Sequence, residues 1–195
     1  MSWSVTAEDG TAATATVAAG VTCIVAMITW RSGSPSGATW NGVAMTLVGS
    51  VNNGFENVAA GLWYLNNPDS GTHTLALSGA TAHDMGLYMI TGTRGETAAV
   101  RNTQSNSADN NDFIAVPTIT SKNADLVFYV GDKIGNGVWS GVDDSQAGGS
   151  QGAREAGNDA GVTATFGDAG DAPICAIGTS LQIKPLAKMA GIITI

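Results

Sequence analysis

Residues 39–77, TWNGVAMTLVGSVNNGFENVAAGLWYLNNPDSGTHTLAL, string three β-strands together with turn signals and little else. Asn41-Gly42 lies between Ala38-Thr39-Trp40 and Val43-Ala44-Met45-Thr46-Leu47, the short-range signature of a tight hairpin whose central residues need φ > 0. Asn67-Pro68-Asp69-Ser70-Gly71 is a second turn, in which Pro sets one φ and Asn, Asp and Gly supply the less usual conformations. The residues between have strand character, and no two polar side chains stand in an evident catalytic relation.

Composition agrees with this local reading. The chain has 195 residues and is 44% hydrophobic, enough to bury a sizeable core, while only 12% of residues are charged and Gly occurs 26 times. Many short strands joined by tight turns have this profile, and helix-forming Leu, Glu, Lys and Arg are scarce. With no linker-like break, one β-sandwich domain is expected over residues 1–185, with residues 186–195 as an apolar tail or strand.

The formal charge of −8 repels phosphate backbones and anionic membrane surfaces, which argues against a nucleic-acid partner. Apolar runs such as residues 23–28 and 58–65 are far shorter than the roughly 20 residues that cross a bilayer, so no membrane partner is expected. The opening MSWSVTAED has neither the basic start nor the apolar core of a secretory signal.

Strands are expected at residues 14–18, 22–30, 43–51, 58–65, 72–78, 85–91, 113–120, 124–131, 162–166 and 174–183. Residues 32–37 read as a turn and residues 102–112 as a polar loop. Leu75 and Leu77 share one face, the core side. Residues 132–161, rich in Gly, Asp, Ser and Ala, read as a surface excursion with a short hairpin started by Asn136-Gly137, either a binding surface or a segment free to drift.

Most chemical motifs fail on context. Gly148-Gly149-Ser150-Gln151-Gly152 spells a hydrolase elbow but lacks the strand before it and the helix after it. Gly135-Asn136-Gly137 lacks the third glycine and the helix of a dinucleotide loop. His73 and His83 are the only histidines and read as surface or edge residues; His83 adjoins Asp84, but strand neighbours point to opposite faces. No catalytic residue is assigned, and no enzyme activity is expected.

Cofactors are not expected either. Asp109-Asn110-Asn111-Asp112, Asp143-Asp144, and Asp168 with Asp171 offer oxygen ligands of the kind Ca²⁺ takes in loops, without the spacing of a dedicated site. Cys23 and Cys175 lie in apolar runs and read as buried thiols, with a disulfide between them as the alternative. Trp40 and Trp139, placed at hairpin turns, pack in the core or stack on a sugar. The chain ends in Gly191-Ile192-Ile193-Thr194-Ile195, where Ile192, Ile193 and Ile195 make a strand that either closes its own sheet or docks on a neighbouring subunit.

The order W-N-G-V-A-M-T-L-V-G, then V-A-A-G-L-W-Y-L-N-N-P-D-S-G-T-H-T-L-A-L, resembles a β-sandwich module of phage and bacterial structural proteins, in which a hairpin, an L-W-Y-L strand and an N-P-x-x-G-T-x-T turn recur. The likeness covers residues 12–92 well and 125–184 loosely. It implies an all-β fold, a single antiparallel jelly-roll-like sandwich of about ten strands. It also implies a non-enzymatic virion protein, one that decorates or cements the capsid surface. Its partners would be capsid or other virion proteins and further copies of itself. The alternative is a carbohydrate- or receptor-binding module of a phage tail or adhesin, with Trp40 or Trp139 as the glycan platform.

Overall fold

The computed structural model describes residues 2–54, 58–91, 97–123, 125–134, 137–142, 144–145, 153–156 and 161–184. The tail residues Ile192, Ile193 and Ile195 lie outside the described residues, as do Asn136, Asp143 and the run 148–152. Every regular element described is a strand: β1 (Ser2–Gly10), β2 (Ala12–Val17), β3 (Val21–Trp40), β4 (Val43–Ala44), β5 (Thr46–Asn52), β6 (Ala59–Asn66), β7 (Gly71–Thr91), β8 (Thr97–Ile119), β9 (Asp125–Lys133), β10 (Val138–Ser140), β11 (Asp144–Ser145), β12 (Ala153–Ala156) and β13 (Val162–Lys184). Among the described residues no helix is long and apolar enough to cross a membrane.

All pairing is antiparallel and falls into two sheets, each drawn from one half of the chain. The first has the order β1-β7-β3-β6-β5, with β2 also on β7 and β4 on β3; the second has the order β10-β13-β9-β12-β11, with β8 on β13. The expected all-β antiparallel sandwich is therefore present. The two sheets meet face to face over Cys23, Val25, Met27, Leu62 and Tyr88 from the first half and Leu126, Phe128, Val130, Cys175 and Ile177 from the second. Tyr88 and Phe128 meet edge to face, their ring centroids 5.2 Å apart.

These strands are apolar on both faces, and the period of two sorts their side chains. In β3 the odd residues Cys23, Val25 and Met27 face the other sheet, while Ile24, Ala26, Ile28 and Trp30 face a separate core within the first half. That core is closed by Ala15, Val17, Ala38, Trp40, Leu75 and Leu77, which belong to β2 and to the far ends of β3 and β7. The β3–β7 ribbon thus folds over itself. At its corner Gly33 (φ 79°) and Gly79 (φ 83°) press backbone to backbone; a Cβ on Gly33 would lie 2.5 Å from the Gly79 carbonyl oxygen. The second half repeats the device, β8 and β13 bending together beside Gly167 (φ 146°) and closing a third core around Ile114, Val116, Ile119, Trp139 and Phe166.

Counting each bent strand as two segments gives eight segments in the first half. One layer then runs 1-8-3-6-5 and the other 2-7-4-5, where segment 5 is β4 with β5; this is the strand order of a jelly roll. Segments from β8 to β13 follow the same order in one layer, 1-8-3-6-5, and among the described residues as 2-7-4 in the other. The chain is a tandem pair of jelly rolls joined through the 1-8-3-6 layer of each.

Several local expectations are corrected. Residues 102–112 are not a loop but part of β8, paired with β13 through Asn111↔Ala172. Their polar side chains sit on an outer edge strand, and some cap it: Asn106 Nδ2 donates to Ala115 O at 2.9 Å, and Asn102 Oδ1 accepts from Thr120 N at 3.1 Å. Residues 32–37 are the corner of a continuous strand rather than its end. The 43–51 strand breaks at Met45, whose amide bonds back to Ala38 O. Residues 2–10, not read as a strand, pair with β7.

Candidate functional site

Hairpin positions do not expose the tryptophans named from sequence. Trp40 has no exposed surface, its Nε1 donates to Asp69 O at 3.3 Å, and its ring meets His73 edge-on at 5.7 Å. Trp139 is 9% exposed and packs between Tyr129 and Phe166, at centroid separations of 5.3 and 4.8 Å. Both complete a core because each jelly roll has a second layer above its hairpin. Neither ring is presented for stacking on a sugar.

The structure instead assembles charge where the two jelly rolls join. Arg31, just past the apolar run of β3, donates from Nη2 to Asp132 Oδ1 at 3.1 Å and to Lys133 O at 3.0 Å, and from Nε to Asp132 Oδ2 at 3.4 Å. The Asp132 carboxylate is fully buried. Burial pushes its pKa above the usual carboxylate value, and the hydrogen bond and charge of Arg31 oppose that rise. His83 Nδ1 lies 3.3 Å from Asp84 Oδ2 and 4.0 Å from Asp132 Oδ1.

Alternation on a strand had argued against a His83–Asp84 pair, and a β-bulge overturns that argument. Thr29 pairs with Asp84 and Trp30 with Ala82, so His83 is the extra residue, and the two neighbours come together. A cleft of about 300 Å³ opens above the cluster, lined by Arg31, Ser32, Thr81, Ala82 and His83. His83 Nδ1 is buried without a hydrogen bond, so the cluster is held at this point by charge rather than by a donated proton.

Two further ion pairs tie the second jelly roll internally. The buried Lys133 ammonium donates to Asp112 O at 3.0 Å, Asp168 O at 2.8 Å and Asp168 Oδ1 at 2.7 Å, pinning the corner of β8 and β13 to the end of β9. Asp125 holds Arg101 through two hydrogen bonds and also accepts from Lys122 N. Of the carboxylates considered as calcium ligands from sequence, Asp168 Oδ1 is engaged by Lys133 and Asp112 Oδ1 accepts from Gly170 N at 2.9 Å. Among the described residues no group of three or more His, Cys, Asp or Glu is placed to hold a metal ion.

Cys23 and Cys175 are both free thiols in the core between the sheets, which corrects the disulfide alternative. Burial pushes the Cys23 thiol up to about 12 and raises Cys175 further, with Asp132 adding to the rise. A second cleft of about 420 Å³ lies between residues 18–22 and residues 67–70 and is lined mainly by small side chains and Pro68. Sequence reading missed Arg31 and Asp132. The signal was present as single charges bordering apolar runs, a placement that costs free energy unless a partner is supplied.

No family model, curated protein or solved structure matches this chain.

Proposed function

We propose that this chain is a non-enzymatic structural protein of a virion, one that decorates or cements a capsid through contacts between subunits. The reading is supported above all by the doubled jelly roll. Two such units meet through their flat faces in one block, tied at the junction by Arg31 and Asp132. The motif likeness of residues 39–77 to a module of phage and bacterial structural proteins is compatible with this reading. Half-exposed apolar side chains on outer strands, Val43, Leu47, Phe113 and Val138, provide surface for contacts with other subunits. The glycan-binding alternative has lost the two rings that would have formed its platform.

Quantitative mass spectrometry of purified particles tests the proposal. A chain present in fixed stoichiometry with the shell protein, and rebinding to particles stripped of it, supports capsid decoration. Its absence from particles, or indifference of purified chain to them, sinks it.

A further inference from the structure

The outer face of the second jelly roll carries an apolar pair with an acidic border. Ladder register places Val138 of β10, Gly167 of β13 and Phe113 of β8 in one row. Their chain neighbours Trp139, Phe166 and Ile114 point into the core, so Val138 and Phe113 project outward, 57% and 51% exposed. They flank β13 at about 10 Å from one another, two ordinary strand spacings. Asp112 and Asp168 directly adjoin this row, and Asp109 and Asp171 lie at the same corner; Lys133 offsets one of these four carboxylates.

The last twelve residues, KPLAKMAGIITI, have the opposite character. All sixteen acidic residues of the chain precede them, whereas they contain two of its eight basic residues, Lys184 and Lys188, together with Leu186, Met189 and three isoleucines. We propose that residues 184–195 of one copy dock on the Phe113–Val138 face of a second copy, isoleucines over the apolar pair and lysines toward the corner carboxylates. This deepens the reading of the chain as a subunit-adhesion protein and rests on it for the choice of partner.

Reach excludes the chain's own tail. From residue 174 beside the corner to Lys184, β13 advances about 33 Å, and the outer face lies a further sheet spacing of about 10 Å away. Eleven residue steps separate Lys184 from Ile195 and extend at most about 40 Å, short of that path of about 43 Å even for the last isoleucine. A contact between a tail and a different surface closes as a two-fold dimer where two copies exchange tails, and otherwise propagates as rings or open chains.

Sedimentation velocity on four samples decides the matter: the full chain, a chain lacking residues 185–195, Phe113→Asp, and a mixture of the last two. The full chain should self-associate, more weakly at high salt, each variant alone should be monomeric, and the mixture should give a heterodimer and nothing larger. A monomeric full chain, association that survives either change, or a mixture that stays monomeric overturns the docking. Val138→Ser repeats the test if Phe113→Asp fails to fold, as read by its thermal melt. A chain that is monomeric yet stoichiometric on particles refutes the docking alone and leaves the adhesion reading standing.

Discussion

Arg31 in the first jelly roll donates two hydrogen bonds to the carboxylate of Asp132 in the second, a carboxylate with no exposed surface. The pair bridges the halves of the chain at the border of their shared core. Neither residue has its role without the other half.

Arg31→Ala is expected to destabilise the protein by about 3 kcal/mol at neutral pH, because it leaves a buried carboxylate without its guanidinium. The deficit should shrink with acid. Burial raises the folded-state pKa of Asp132 above its ordinary 3.8, and Arg31 limits that rise. For a raised pKa, the stability linked to the group is fully present below the unfolded value and is lost as pH rises through the folded value. Removing Arg31 widens this window, so wild type and variant should converge as pH falls toward the ordinary carboxylate range. Denaturant melts across pH check this, and a deficit independent of pH refutes it.

Gly33 and Gly20 both adopt positive φ, 79° and 87°, but only Gly33 faces backbone where a Cβ would stand. Gly20→Ala should therefore cost only its conformational strain, about 1 kcal/mol. Gly33→Ala adds a collision at the ribbon corner and should cost clearly more, about 2–4 kcal/mol. Equal losses in chemical denaturation would mean the corner does not require glycine.

Trp139→Ala removes a ring held between Tyr129 and Phe166 and should cost about 3–5 kcal/mol. A surface aromatic would instead be removed with little effect on the melt. A near-neutral thermal shift would contradict the burial found for this ring.

Both thiols should resist alkylation in the native protein, since each is buried and its ionisation suppressed. Two labels per chain should enter once denaturant unfolds it, read by intact mass. Labelling of the folded chain at the rate of the unfolded one would show that the core between the sheets opens.

Much of the strand content was legible because it rests on local chemistry. Asn41-Gly42 makes its turn with both residues at positive φ, 50° and 77°, and the described residues of the runs 22–30 and 124–131 lie within observed strands. The polar residues 102–112 misled because composition penalises Asn, Asp and Ser in strands, whereas an edge strand tolerates them when one face and one edge meet water. The repeat was hidden for a similar reason. Gly71-Thr-His-Thr-Leu-Ala-Leu and Gly161-Val-Thr-Ala-Thr-Phe-Gly occupy the same place in their respective rolls, yet they share only a leading glycine and alternate burial, and the inward residues, Leu75 and Leu77 against Val162, Ala164 and Phe166, are out of phase by one. The candidate site was least legible, since Arg31 and Asp132 are 101 positions apart and the His83 bulge depends on register with β3.

By itself, the sequence determined that the chain would be built of strands, where its tightest turns fall, and that its apolar runs could bury both faces. Alternation, turn chemistry and composition act within a few residues, so they can be read along the chain. Only the tertiary structure decided that the strands bend at glycine corners into two jelly rolls, that Trp40 and Trp139 become core, and that Arg31 finds Asp132. Those outcomes depend on which distant surfaces meet, and that is set by packing a second layer over each half and then one half against the other.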